Sequence, residues 1–407
     1  MQITKNHIVI GTLVLALLAG IIVFTNNKDV GTQAVATPTP DAQNTEPTVT
    51  PVESPVGTVV TNTVTGRPVT NLPVQKVPAP LTGRVAPDLV RPTGFSNTDT
   101  LGLINTNEFT LKQFIGKKII LLEFWTTSSV NSLHTIPYLN QWQEKYKDQG
   151  LLIVTVHTPR FEFEKSKSVV DKVAHDNNMI SPIVMDTEYN TWAAYKNTVW
   201  PHLYLIDLNG RIVYDHAGEG AYEATHAKIE ELLSARAKTL KTTFNPSSFA
   251  IPKGASSYDF TGIEAYVGAG RNATLANGVP LKIGQQSFEP VVSPKSDVVY
   301  LTGNWNFTKD YAENMTPSSV IFRHSTKSVG AVLGAQKIIR VKVLLDGNPL
   351  DGTNAGKDVR FEKTDSVIYV SEERIYSIMN NPSQSGEHTV ELISDSGGLD
   401  VYTLTFI

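Results

Sequence analysis

Residues 119–139 constrain this chain more than any other stretch. An apolar run of β-type residues, Ile119 to Phe124, stops at Trp125 and gives way to Thr126, Thr127, Ser128 and Ser129. After Val130 and Asn131, Ser132 opens a helical pattern with Leu133, Ile136, Leu139, Trp142 and Tyr146 on one stripe, closed by Gly150. A strand apolar on both faces must be covered from both sides, so the pattern calls for a layered α/β domain.

The neighbouring sequence supports that reading. "GLLIVTVHT" is a second buried-strand run. "HLYLIDLNGRIVYDHAG" reads as two short strands joined at Asn209-Gly210, a strong hairpin signal, and "YEATHAKIEELLSARAKTL" as a closing helix. A βαβ start with a terminal hairpin and helix predicts a thioredoxin-like α/β domain over residues 86–240.

Composition excludes several chemistries. The 407 residues contain no cysteine, which removes disulfides, thiolate metal sites and thiol catalysis. The nine histidines show no zinc-type spacing, so neither a metal nor another cofactor is expected. A formal charge of -4 gives no basic patch for nucleic acid. Residues 1–25 read as a membrane anchor, with Lys5 before the apolar run Ile8 to Phe24. The weak positive-inside signal would leave the folded domains extracytoplasmic, on a single-pass chain at the cell membrane. Residues 26–85 are rich in Pro, Thr and Val and predict a disordered linker of PPII type, reaching about 45 Å if coil-like.

The stretch Glu123-Phe124-Trp125-Thr126-Thr127-Ser128-Ser129-Val130-Asn131-Ser132-Leu133-His134-Thr135-Ile136-Pro137-Tyr138-Leu139 resembles the site of the extracytoplasmic thioredoxin-like family that includes the DipZ and TlpA proteins. "VHTPRFEFEK", "TWAAYKNTVWPHLYLIDLNGRI" and "GEGAYEAT" extend the resemblance across the domain. It implies a thiol-disulfide redoxin in which Ser129 and Ser132 stand at the two cysteine positions, and Arg160 where the family usually has Glu. Trp125, Ser129, Ser132 and Pro201 then mark a degenerate site, with Pro201 at the family's cis position. A serine hydroxyl is not ionised near neutral pH and cannot form a disulfide, so redox inactivity is expected. Ser129 is expected to cap the helix. A hydrolase would need a histidine beside Ser129 or Ser132, and His134, two residues past Ser132, should point away. A peptide or protein partner could still use the groove, flanked by Trp125 and Trp200.

Residues 244–407 change texture to short strands and turns, predicting an all-β sandwich of jelly-roll type. Glu264, Tyr266, Gly268, Trp305, "LLDGNPL", Arg374, Tyr376 and "GLDVYTLTF" resemble the module that follows the thioredoxin domain in DipZ-type proteins, which is similar to carbohydrate-binding modules. The resemblance implies a glycan site, with Tyr266, Trp305 and Tyr376 as an aromatic platform and Asp346 and Arg374 as polar partners.

Overall fold

The computed structural model describes residues 82–98, 109–253, 255, 263–381 and 385–406. The expected anchor and most of the expected linker lie outside these residues. Among the described residues no helix is long and apolar enough to cross a membrane.

The first domain holds strands β1 (Gly94–Ser96), β2 (Ile119–Trp125), β3 (Leu151–His157), β4 (Ile183–Met185), β5 (His202–Ile206) and β6 (Ile212–Ala217). Its helices are α1 (Val130–Tyr146), α2 (Lys167–Asp176), α3 (Asn190–Ala194) and α4 (Tyr222–Leu240). The sheet runs β1-β4-β3-β2-β5-β6, with β2, β3 and β4 parallel and the β5–β6 hairpin antiparallel. Every residue of β2 and β3 is buried because side chains pack on both faces. Phe124, Val154 and Ile206 belong to the core on one face, and Leu121, Leu139, Trp142 and Ile229 to that on the other. Helix α1 turns its predicted stripe inward and is closed by a short 3-10 turn and Gly150 at φ 108, a left-handed position suited to glycine. Gly210, at φ 74, makes the hairpin turn, with Asp207 Oδ1 accepting from Asn209 N and Arg211 N.

Both expected boundaries shift. Gly83 and Ala86 donate to Ile212 O and Gly210 O, and Val85 bridges Arg211, so the folded chain begins ahead of residue 86. Phe244 and Phe249 pack back on the first domain beside α1 and α4, and Ser247 hydrogen-bonds Tyr146 and Glu230. The second domain therefore starts later than residue 244.

That second domain is all-β. Among the described residues it is one continuous 13-stranded antiparallel sheet, in place of two separate sheets. Strand Val299–Phe307 belongs to both halves: its first part pairs with Ser318–His324, its second with Gly284–Phe288 and Ala312–Asn314. Between the halves lies one core containing Val320, Phe322, Val341, Leu333, Leu404 and Phe406. Strand Ile263–Tyr266 pairs with Asp400–Phe406, joining the two ends of the domain.

The expected aromatic platform is corrected here. Trp305 and Tyr376 are each only 1% exposed and belong to the core. The Trp305 indole donates to Thr302 O, and the Tyr376 hydroxyl donates to Glu372 O. Arg374 lies over the Tyr376 ring and pairs with Asp358, while Asp346 pairs with His388. Neither ring offers a face for stacking, and both proposed polar partners are engaged within the fold.

Candidate functional site

The carboxyl ends of the parallel strands carry the site, as is usual for α/β sheets. Register places Trp125 opposite His157 and Glu123 opposite Thr155. Trp125 does not flank a groove; it is fully buried on Ile136, Val170, Met179 and Ile183, with its ring 5.2 Å from that of His157. Residues 126–129 then turn the chain into α1. Ser129 is extended, and its Oγ accepts from Ser132 N at 3.3 Å, so it caps the helix as expected. Ser129 is 3% exposed and Ser132 fully buried, so neither hydroxyl is presented to a macromolecular substrate. The Ser132 Oγ has no protein hydrogen-bond partner among the described residues.

Glu164 holds this loop. It lies in the 3-10 turn Glu162–Lys165 and is wholly buried. One carboxylate oxygen accepts from Thr126 Oγ1 (2.5 Å), Thr127 Oγ1 (2.8 Å) and Ser128 N (2.8 Å). The other accepts from Arg160 N (2.5 Å) and Phe161 N (2.8 Å). Burial works against its charge, but His157, Arg160 and the two threonine hydroxyls outweigh it, so the carboxyl titrates below its ordinary range. Arg160 completes the arrangement. Its Nε donates to Ser128 Oγ at 3.1 Å, Nη2 donates to Ser128 O, and Nη1 meets Glu264 Oε1 at 2.5 Å. Tyr266 also belongs here: its hydroxyl lies 3.3 Å from Arg160 Nη1 and donates to Glu264 Oε2.

Glu123 and His157 are buried titratable groups of another kind. No protein hydrogen bond reaches either Glu123 carboxyl oxygen among the described residues. Burial pushes its carboxyl up to about 8. Burial pushes the His157 imidazole down to about 4, against the pull of Glu164. At pH 7 both are therefore neutral.

Among the described residues no histidine hydrogen-bonds Ser129 or Ser132. His202 is bound to Asn197, Tyr204 and Asp215, and His134 pairs with Glu219 at 3.3 Å. His157 lies against Trp125 with no protein hydrogen bond to either nitrogen among the described residues. The Trp200-Pro201 bond is cis, as the resemblance implied. Trp200 is half-buried, its ring 4.3 Å from that of Trp192, and unlike Trp125 it is not wholly enclosed.

Replacing Glu164 with Ala leaves buried N–H groups unpaired and Arg160 short of an anion, and should cost roughly 3–5 kcal/mol in urea unfolding. A cost below about 1 kcal/mol would contradict the role given to Glu164. Glu123 sets a pH dependence. Between its ordinary value of 4.5 and about 8, the unfolded chain releases a proton that the folded chain keeps. Stability is thus lost as pH rises through this window, by about 1.4 kcal/mol per unit. Glu123→Gln removes that loss, so its stability relative to wild type should grow by on the order of 3 kcal/mol from pH 5 to pH 8. A constant difference would place Glu123 in another environment.

Comparison with known proteins fits this geometry. Residues 83–233 match the redoxin family, and residues 262–406 match a family described as a thioredoxin like C-terminal domain. Protein DipZ of Mycobacterium bovis is 31% identical over 265 residues, covering 65% of this chain. The chain spans 37% of the length of that relative. Thiol-disulfide oxidoreductase ResA of Geobacillus kaustophilus is 32% identical over 150 residues, 37% of this chain and 77% of ResA. Thiol-disulfide oxidoreductase YkuV of Bacillus subtilis is 28% identical over 127 residues, 31% of this chain and 85% of YkuV. With the redoxin match over residues 83–233 and 77% of ResA covered at 32% identity, this chain belongs to the thioredoxin-like redoxin family.

Proposed function

We propose that this chain is a redox-silent redoxin, held outside the cytoplasm by its N-terminal apolar run, that recognises a protein or envelope ligand and does not exchange electrons with it. One observation carries the reading: the helix-capping residue and its neighbour three positions on are serines, in a chain without cysteine. Disulfide exchange needs a thiolate to attack and a second thiol to resolve the mixed disulfide. Oxygen supplies neither, and the Ser129 hydroxyl is already engaged in capping α1. The apolar run Ile8 to Phe24 supports the membrane tether. Half-buried Trp200, beside the cis Pro201 and packed on Trp192, is the surface offered to an extended peptide. The glycan reading keeps no aromatic platform at Trp305 or Tyr376 and is not favoured.

The test is insulin reduction with dithiothreitol as electron donor. Wild type should add nothing to the rate of dithiothreitol alone. Measurable turnover by the cysteine-free chain would overturn the proposal.

A further inference from the structure

We propose that the mouth of the serine site is a docking surface whose occupant is the chain's own β domain, with Arg160 as the residue that determines this recognition. Three contacts around the serine loop point the same way. First, the Arg160 guanidinium, anchored on Ser128, reaches across to Glu264 and Tyr266 on strand Ile263–Tyr266. Second, Phe161, in the turn that Glu164 organises, is buried with Val332 and Tyr402 of the β domain, its ring 5.0 Å from that of Tyr402. Third, a Cβ built on Gly330 would lie 3.6 Å from Val130 Cγ2, which places strand Ser328–Gly334 over the first residue of α1. Glu162 N to Asp310 Oδ2, at 3.1 Å, and Arg271 Nη2 to Arg160 O, at 2.9 Å, close the rim.

The chemistry selects arginine at this place. Two carboxylates, Glu164 from within the domain and Glu264 from across the joint, face position 160. A third acid there would be repelled by both, whereas one guanidinium satisfies Ser128, Glu264 and Tyr266 together. The β domain thus covers the Val130 side of the site, where an incoming protein would have to displace it. This assignment is independent of electron transfer, because it concerns what occupies the site and not what the site catalyses.

The chain has no cysteine, so an introduced pair reports its own contact without background. Val130→Cys with Gly330→Cys in the full chain should form an intramolecular disulfide under mild air oxidation, seen as loss of both free thiols and as a linked 130–330 peptide by mass spectrometry. Adding Arg160→Glu should slow crosslinking by about tenfold. Should that variant fail to fold by circular dichroism, Glu264→Ala, at a partly exposed position across the joint, takes its place with the same expected direction. Two freely reactive thiols in the parent pair would overturn the docking. Crosslinking that is equally fast in the charge variant would overturn the role of Arg160.

Discussion

A guanidinium taken out of water must find its donors and its charge matched inside the protein, and Arg160 finds both at the serine loop. Leaving such a group unpaired costs several kcal/mol, so its partners are fixed wherever it is fixed. Ser128 supplies a hydroxyl and a carbonyl, Glu264 a carboxylate, and Glu164 a second negative charge reached through the backbone. The loop between β2 and α1, the turn after β3 and the first strand of the β domain are thereby tied to one side chain.

This network explains why the loop is built from small hydroxylic residues. Glu164 is wholly buried, and its stability as an anion depends on short donors brought close by the backbone. Thr126, Thr127 and the Ser128 amide meet that need within 2.8 Å. Ser129 and Ser132 belong to the helix instead. A hydroxyl at a helix N-cap is a good acceptor, but the helix dipole cannot bring it near ionisation at neutral pH. Glu123 and His157 are both held neutral by desolvation, and among the described residues neither hydrogen-bonds Ser129 or Ser132.

Much of the first domain was legible because its signals are local. The apolar runs give β2 and β3, the stripe from Leu133 to Tyr146 gives α1, and Gly210 marks the hairpin. Ser129 could be read as a cap from its position alone. Glu123 was also available as a lone charge inside an apolar strand, though its neutrality depends on burial that spacing does not disclose. Arg160 and Glu164 were not legible as a pair of anchors, since their partners lie 32 to 38 residues away in the loop and, for Glu264, 104 residues away in another domain. A short charged turn reads the same whether it faces solvent or is buried. Strand alternation alone marks Trp305 as a core residue: Val299, Leu301, Trp305 and Phe307 alternate along one strand and all face the core. Tyr376 alternates with Ile378 in the same way. Phe244 and Phe249 sit in a stretch with no regular spacing, so nothing local assigned them to the first domain.

If the Arg160 network and the β domain seal the serine loop, a single thiol can measure it. Ser129→Cys creates the one thiol in the full chain, and its alkylation rate can be set against that of Ser168→Cys, an exposed position on α2. Ser129→Cys should react at least about tenfold more slowly, even though a thiol at a helix N-terminus is ordinarily the more reactive. Equal or faster alkylation at position 129 would contradict it.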